Sequence, residues 1–254
     1  MYQGFYTLGS AMISENRNLN VISNNMANAA TTGYKSDKYI ASTFREEMLY
    51  RSGNITPNKR TPIGTTAMIQ ATNDRVTSYE QGGLEPTEMP LDFAISGEGF
   101  FVVQTEDNET LYTRNGSLIT DDEGYLAVPN IGRVLGTNNS PIRVDTDALV
   151  VDTDGTVRGE ETDTVYGTIQ LADFEDYYES LIKGDNGTFT AQEGATTRAA
   201  NAQIIQGMLE RSNTSMVEEM TSMMSAQRSL QAAAQLIKMY DQLNGRAVTL
   251  GSVS

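Results

Sequence analysis

The sequence predicts an α+β fold, in which N- and C-terminal helices pair as a coiled-coil-like bundle around a central, antiparallel β-rich domain. Charge supports this division, because residues 1–50 and 207–254 each hold four Lys+Arg and four Asp+Glu. Residues 51–206 therefore carry the entire formal charge of −15. All six prolines and 16 of the 22 glycines also lie in that central segment. Both ends instead repeat apolar residues at helical spacing.

An N-terminal helical domain is predicted over residues 1–33. Within residues 7–29, apolar residues follow a heptad pattern interrupted by Glu15: Leu8, Met12, Leu19, Ile22 and Met26. Asparagines on the other faces are poor helix formers, so this helix is marginal alone and needs its apolar stripe covered. Gly33 is suited to a left-handed cap at the helix end.

Residues 34–88 are predicted to form a linker with one short helix and isolated strands. The short helix is expected over residues 38–51, where Phe44 and Met48 lie on one helical side. From Ser52 onward, Thr, Gly and Pro interrupt any sustained period, which indicates an extended segment.

A β-rich domain is predicted over residues 89–206. Its strand candidates are residues 99–103, 111–113, 125–128 and 169–171. Its turn candidates are Asn115-Gly116, Glu123-Gly124, Asp154-Gly155 and Asn186-Gly187. Short strands separated by such turns favour antiparallel hairpins over βαβ units. Residues 176–183 fit either a brief helical turn or an edge strand.

A C-terminal helical domain is predicted over residues 207–254. Its helix, over residues 214–244, carries a heptad line with one polar member: Met216, Met220, Met223, Gln227, Leu230, Ala234 and Ile237. Asn213, Thr214 or Ser215 can cap its start, and acidic residues follow in the first turns. Two arrangements would cover the terminal stripes, an antiparallel hairpin within one chain or a bundle of several subunits. The stripes alone favour the first.

Composition excludes several kinds of site. The chain has no Cys and no His, so disulfides, thiolate nucleophiles, ordinary zinc sites and a histidine base are excluded. The acidic balance argues against nucleic-acid or anionic-membrane partners. No apolar run is long enough to insert into a membrane. The N-terminus does not resemble a cleaved secretion signal, so we expect a cytosolic protein or one exported without such a signal.

Two acidic patterns suggest chemistry, and each has a simpler explanation. Asp152-Thr153-Asp154-Gly155 resembles part of a calcium loop, with Glu161 at the bidentate position, but Val150 occupies the first ligand position. A hairpin turn explains the same residues. Residues 121–123 and 160–161 could supply the carboxylate pair of a hydrolase, although an acidic chain produces such pairs by chance. We therefore predict no catalytic, cofactor or metal site.

Four blocks, in order along the chain, resemble the signatures of one family. The first is SNNMAN at 23–28 with TTGYK at 31–35, and the second is PLDFAISGEGFFVV at 90–103. The third is YTRNGS at 112–117, and the last comprises GMLERSN at 207–213, VEEM at 217–220 and AQRS at 226–229. Together they resemble the bacterial flagellar rod and hook proteins. Met26, Tyr34 and Leu118 stand where that family usually has Leu, Phe and Phe.

The matching motif positions are Ser23, Asn24, Asn25, Asn28, Thr32, Gly33, Gly97, Gly99, Phe100, Phe101, Arg114, Gly116, Leu209, Glu210, Ser212, Asn213, Glu219, Gln227 and Arg228. The resemblance implies a structural, non-enzymatic subunit of the flagellar basal body, closest to the proximal and distal rod proteins. Its implied partners are copies of itself, other rod and hook proteins, and the flagellar type III export apparatus. The terminal helices would build the inner tube of a hollow helical shaft that transmits torque.

Three alternatives to a rod subunit remain at this point. One is a hook-type axial protein, although the chain has little room for the larger inserted domains of hook proteins. The others are a carboxylate-dependent hydrolase and a calcium-binding secreted β module.

Overall fold

A computed structural model describes residues 2–43, 46–52, 60–67, 70–144, 146, 148–160 and 164–251. They divide into two compact units. The helical unit comprises Met1–Met26, Asp37–Val76 and Met216–Ser254, and the β unit comprises Ala27–Ser36 and Thr77–Ser215. An N-terminal helix, a C-terminal helix and a central antiparallel β region confirm the predicted α+β class.

Within the described residues, the helices are α1 (Tyr2–Ala27), α2 (Tyr177–Ser180) and α3 (Met216–Gly251). The two long helices confirm the helical periodicity of both termini, and α1 begins earlier than the pattern indicated. Gly33, however, does not cap α1, because the helix ends at Ala27. No helix in the described part of the chain is both long and apolar enough to cross a membrane.

The predicted short helix over residues 38–51 is wrong. The structure has strands there, and the strands of this part of the chain are β1 (Asp37–Thr43), β2 (Glu46–Ser52), β3 (Arg60–Ala67) and β4 (Gln70–Thr77). β1 pairs with β4, and β2 pairs antiparallel with β3, so that Met48 lies opposite Thr65. Tyr, Ile and Thr in β1 favour strand, and pairing with a distant segment outweighs local helical spacing. Phe44 lies outside the described residues.

The remaining strands lie in the β unit: β5 (Leu84–Pro86), β6 (Phe93–Ser96), β7 (Phe100–Gln104), β8 (Thr110–Thr113), β9 (Ile119–Thr120), β10 (Leu126–Val128), β11 (Gly132–Val134), β12 (Leu149–Val151), β13 (Thr156–Gly159), β14 (Val165–Thr168), β15 (Leu171–Phe174), β16 (Leu181–Lys183), β17 (Thr188–Ala191), β18 (Thr197–Ala199), β19 (Gln203–Gln206) and β20 (Met208–Glu210). The largest sheet has the order β16-β17-β8-β7-β11-β10-β9, and β15 pairs with β7 and β18. A smaller sheet has the order β12-β13-β14. Two pairs, β6 with β19 and β5 with β20, complete the unit.

Strand β7 is central to the β unit because both of its faces are buried. Phe101 and Val103 pack in one hydrophobic core, whereas Phe100 and Val102 pack in a second. Successive strand side chains point to opposite faces, so an unbroken apolar run is what a strand between two cores requires. The predicted strand at residues 99–103 is thereby confirmed.

Three of the four predicted turns connect paired strands. Glu123-Gly124 joins β9 to β10, Asp154-Gly155 joins β12 to β13, and Asn186-Gly187 joins β16 to β17. The prediction at Asn115-Gly116 is wrong, because β8 and β9 do not pair. These two residues instead lie in the connection from β8 to β9, and β8 pairs with β7 and β17 while β9 pairs with β10.

Residues 176–183 contain both of the structures predicted as alternatives for them. Asp176 accepts hydrogen bonds from the backbone N–H groups of Tyr178 and Glu179 and caps α2. Strand β16 follows at once as an edge of the largest sheet. The candidate strand at residues 169–171 is shifted, since Ile169 forms only an isolated bridge to Gly136 and β15 begins at Leu171.

Candidate functional site

A buried ion cluster, formed by Lys35, Arg114 and Glu210, joins three motif blocks inside the β unit. Lys35 Nζ lies 2.6 Å from Glu210 Oε1, and Arg114 Nη1 lies 3.1 Å from Glu210 Oε2. The Lys35 side chain is 1% exposed, and that of Glu210 is completely buried. Lys35 comes from the end of the first block, Arg114 from the residue after β8, and Glu210 from the end of β20.

Backbone groups supply further hydrogen bonds to this cluster, and among the described residues the buried Arg114 Nε is left without a partner. Lys35 Nζ donates to the carbonyl of Glu80 at 2.7 Å, and Arg114 Nη2 donates to that of Gly97 at 2.8 Å. The N–H of Gly82 donates to Glu210 Oε1 at 2.9 Å. The single carboxylate thus fixes segments that are far apart in sequence.

The buried ion cluster holds two cations and one carboxylate, which is an electrostatic imbalance. Burial lowers the pKa of Lys35, and Arg114 lowers it further, while attraction to Glu210 acts in the opposite direction. A lysine with a lowered pKa is a common nucleophile. Lys35, however, is out of contact with solvent, so this cluster serves to hold strands together.

Motif glycines allow close backbone approaches in the β unit. Gly33 has φ +67°, and its N–H donates to the Glu210 carbonyl at 2.7 Å. A Cβ on Gly33 would lie 2.4 Å from the Arg114 backbone, and one on Gly116 would lie 1.7 Å from the Phe93 carbonyl oxygen. A Cβ on Gly99 would lie 2.6 Å from that of Ala200. A side chain at any of these positions would displace the neighbouring residues that it meets.

Asn213 joins the last motif block to two other segments, and it is not a helix cap. Its Oδ1 accepts from the Ser36 N–H at 2.7 Å, and its Nδ2 donates to the carbonyls of Ser78 and Glu80. All of these residues belong to the β unit. The Asn213 side chain supplies hydrogen bonds to irregular backbone segments that would otherwise lack them.

In the helical unit, Asn25 links α1 to β1 and α3. Its Nδ2 donates to the Asp37 carbonyl at 2.8 Å and to Glu219 Oε1 at 2.9 Å, and its Oδ1 accepts from the Asp37 N–H at 3.0 Å. Asn25 itself is buried. At the other end of α1, Gly4 lies against the Tyr240 ring of α3. The end of α1 therefore lies beside the start of α3, and the start of α1 lies beside a later turn of α3, so the two helices run antiparallel.

The predicted assembly residues differ widely in exposure. Ile22 is buried, while Met216 and Met220 are exposed. The others are half-buried, and they are Leu8, Met12, Leu19, Met26, Met223, Leu230, Ala234 and Ile237. One part of the heptad pattern is therefore covered within the chain, and another part faces outward.

Exposed apolar side chains are frequent on both long helices. Within the described residues, those on α1 are Phe5, Tyr6 and Ile13, and those on α3 are Met216, Val217, Met220, Met224, Leu236, Met239, Leu243 and Val248. Val217 is 74% exposed and Val248 71% exposed. Single exposed apolar residues are ordinary on protein surfaces, whereas large contiguous apolar patches are typical of interaction sites.

The acidic patterns have structural roles in the described residues. Although burial raises the pKa of Asp121, hydrogen bonds from the Tyr125 N–H and from Arg133 bring it below its ordinary value. A general acid needs a raised pKa instead. Asp152-Thr153-Asp154-Gly155 forms the predicted hairpin turn, in which Asp152 pairs with Arg158 at 2.8 Å. Glu161 lies outside the described residues.

Comparison with known proteins identifies the family. Residues 5–35 match the family "Flagella basal body rod protein", residues 94–159 match "Flagellar hook protein FlgE/F/G D1 domain", and residues 205–250 match "Flagellar basal body rod FlgEFG protein C-terminal". The chain is 33% identical to the flagellar basal-body rod protein FlgG of Caulobacter vibrioides, over 95% of this chain and 96% of that protein. This chain belongs to the flagellar basal-body rod protein family.

Two further relatives agree with this assignment. The flagellar basal-body rod protein FlgF of Caulobacter vibrioides is 30% identical over the full length of both chains. The flagellar hook-basal body complex protein FlhO of Bacillus subtilis is 30% identical over 97% of each chain. The protein is thus a structural rod subunit of the flagellar basal body, as the resemblance in the sequence indicated.

The motif positions of this rod protein include buried, half-buried and exposed residues. One group makes contacts within the β unit, as in the buried ion cluster, and includes half-buried Thr32, whose hydroxyl donates to Asn115 Oδ1 at 2.8 Å. The other group is exposed on the long helices and consists of Ser23, Asn24, Gln227 and Arg228. Leu209 is half-buried in β20, Asn28 is half-buried beyond α1, and Ser212 accepts from the Thr214 N–H. The structure therefore separates folding positions from outward-facing ones.

Sequence reasoning missed several structural partners of the rod family motifs. Lys35 stands within a matched block, but Asp37 and Lys38 lie close to it in sequence, so nothing in the sequence marks it as a buried charge. The carbonyl and N–H of Asp37 and the N–H of Gly82 are such partners. Nothing in the side-chain pattern points to such backbone partners.

Proposed function

We propose that this rod subunit polymerises through the outward faces of α1 and α3. Its neighbours are copies of itself and other rod and hook proteins, and the resulting hollow shaft transmits torque from motor to hook. The exposed apolar residues of both helices carry this proposal. Covering one large apolar side chain contributes about 1.5–3 kcal/mol, so several per helix supply a stable contact.

The charge distribution supports a β unit that faces solvent in the assembly. The β unit holds 25 Asp+Glu and eight Lys+Arg, a formal charge of −17, whereas the helical unit holds eight Asp+Glu and ten Lys+Arg, a charge of +2. Closely packed units of charge −17 would repel one another strongly at an inner radius. A near-neutral helical unit suits the inner, tightly packed position.

We also propose that the subunit reaches the rod through the flagellar type III export apparatus without cleavage, as the family resemblance implies. Its role in the rod is structural and involves no catalytic step.

The polymerisation proposal is tested by placing a charge on the exposed helix face. Met220→Glu changes a residue that is 51% exposed on α3, and Ile182→Glu is the matched control at 53% exposure on the edge strand β16. Both variants should keep the circular dichroism of the unaltered chain. Cells that make only Met220→Glu should lack rods in electron micrographs of basal bodies, whereas Ile182→Glu should support them. Normal rods with Met220→Glu would contradict the proposal.

A further inference from the structure

The buried and half-buried residues of α3 form one line along the helix. They recur at alternating steps of four and three residues, and they are Glu219, Met223, Ala226, Leu230, Ala233, Ile237 and Tyr240, with Ala234 beside them. Two contacts of α3 with α1 lie on this line, since Glu219 accepts from Asn25 and Tyr240 lies against Gly4. The covered line therefore occupies heptad positions a and d of α3, and it faces α1 at both of its ends.

Six exposed apolar residues of α3 form two triplets with the same spacing, a step of three residues and then a step of four. The upstream triplet is Val217, Met220 and Met224, and the downstream triplet is Leu236, Met239 and Leu243. Every member of the downstream triplet lies 19 residues after its counterpart in the upstream triplet. Met216 and Val248, which are also exposed, lie outside both triplets.

The two triplets lie on opposite sides of the covered line. With Met223 at position a, the upstream triplet occupies positions b and e, and the downstream triplet occupies positions c and g. In a heptad, b and e flank one side of the a/d line, whereas c and g flank the other side. The c/g side carries Glu218 and Ser222 beside the upstream triplet, and the b/e side carries Lys238 and Asp241 beside the downstream triplet. Each side of α3 is therefore apolar at a different height along the helix.

Neighbours in a filament meet through different sides of the same helix. A screw operation keeps every copy of α3 pointing the same way, so the b/e side of one copy faces the c/g side of the next. Contact between two upstream triplets would instead require a two-fold axis and antiparallel helices, which closes a dimer and ends growth. In a growing shaft, the upstream triplet is therefore covered by the c/g side of a second copy.

The apolar residues select one register for this contact. With an offset of 19 residues, each upstream residue meets a large apolar residue of the downstream triplet. An offset one heptad shorter would bring Met220 against Ala232, and an offset two heptads shorter would bring all three upstream residues against serines. An offset one heptad longer would bring Met220 against Arg246. Because matching layers recur every seven residues, these are the neighbouring registers, and each of them covers less apolar surface.

We propose that α3 of one copy packs parallel to α3 of the next copy, with the upstream triplet of the first against the downstream triplet of the second. The axial offset is about 28 Å, since 19 residues of helix rise about 1.5 Å each. This inference rests on the proposed polymerisation and specifies the register of its helix contact. Each copy directs one triplet toward each of two neighbours, so the contact does not close on itself and continues along the shaft.

The absence of cysteine from the chain allows a cross-linking test in assembled rods. Met220→Cys and Met239→Cys are placed in one chain, where about 28 Å of helix separates them. A disulfide requires Cα atoms within about 7 Å, so every bond between these two positions joins two copies. The register control combines Met220→Cys with Ala232→Cys, and Ala232 is likewise exposed. Met220→Cys alone tests for contact between two upstream triplets.

We expect oxidised rods of the chain with Met220→Cys and Met239→Cys to give a ladder of linked copies, because each chain bonds to two neighbours. The register control and Met220→Cys alone should give little linked product. Rods that contain the first chain without a ladder, or an equal ladder from the register control, would overturn the offset and leave the rod function intact. Dimers from Met220→Cys alone would overturn the parallel contact. Exclusion of unaltered, tagged chain from rods would instead contradict the proposed function itself.

A paired charge substitution gives a second test that requires no cross-link. Met220→Glu and Met239→Lys should each reduce the number of rods per cell, because each buries an unpaired charge in the contact. The chain with both should form about tenfold more rods than either single variant, since close opposite charges at interfaces contribute at least that factor. Met220→Glu combined with Ala232→Lys should not recover. Failure of the first pair to recover, or equal recovery by the second pair, with unchanged circular dichroism, would overturn the offset.

Discussion

Replacing Glu210 with Gln should be among the most destabilising single substitutions in the β unit. The carboxylate is fully buried and accepts hydrogen bonds from Lys35, Arg114 and the Gly82 N–H. Gln has the same shape and can still accept from Gly82, but it leaves two buried cations without a counter-charge. Removing one partner of a buried ion pair costs about 3–5 kcal/mol. Since domains are stable by about 5–15 kcal/mol, this loss removes a large share of the total.

The charge imbalance predicts an asymmetric result for the partner. Lys35→Met removes the excess cation and leaves Arg114 paired with Glu210. Its expected cost is below about 1.5 kcal/mol, because the loss of the hydrogen bonds to the Glu80 carbonyl and to Glu210 Oε1 is offset by the removal of a desolvated charge. Urea unfolding followed by tyrosine fluorescence measures both variants, since the chain has 12 Tyr and no Trp. Equal costs for the two substitutions, or a cost below about 1 kcal/mol for Glu210→Gln, would refute this reasoning.

The lowered pKa of Lys35 also predicts that the free energy of unfolding depends on pH in the alkaline range. Burial lowers the pKa of Lys35 below its ordinary value of 10.5, so between the two pKa values the unfolded chain binds more protons than the folded chain. The free energy of unfolding should therefore rise with pH in that window, relative to Lys35→Met. If the free energy of unfolding, taken relative to Lys35→Met, fell as pH rose, the folded state would favour the charged lysine and the reasoning would be wrong.

Three further predictions concern separate contacts. Gly116→Ala should cost about 1–3 kcal/mol or more, because its Cβ meets the Phe93 carbonyl, whereas Gly83→Ala, with open space around it, should be near neutral in the same urea assay. Asn25→Ala should cost about 1–3 kcal/mol and raise amide exchange in α1, while exposed Asn20→Ala should change neither. Although burial raises the pKa of Asp173, hydrogen bonds from Tyr177 and Arg198 lower it overall, so the stability it confers is present above pH 3.8 and lost as pH falls through the folded pKa. Asp173→Asn should flatten that part of the acid unfolding curve.

The fold was predictable wherever a local pattern coincided with burial. The heptad spacing identified α1 and α3, because a helix must cover its apolar stripe. The run at residues 99–103 identified β7, because a short strand with two buried faces is apolar at every position. Asp154-Gly155 identified a hairpin because its glycine adopts φ +87°.

The prediction was wrong where distant partners decide the structure. Residues 38–51 have helical spacing, yet they pair as strands with segments beyond Arg60. Asn115-Gly116 has a turn composition, but Gly116 is needed for a close approach to Phe93. The buried ion cluster joins residues as far apart as Lys35 and Glu210, and no local pattern relates them.

Methionine oxidation tests most directly whether neighbouring subunits cover the helix faces. Four exposed methionines lie on α3, and they are Met216, Met220, Met224 and Met239. Met89 is 60% exposed in the β unit and provides an internal control. Sulfoxide formation follows exposure, so its rate at each site can be compared by mass spectrometry between the free chain and isolated rods. We expect strong protection of the α3 methionines in rods with little change at Met89. Equal oxidation of all five residues in both states would contradict a shaft built by these helices.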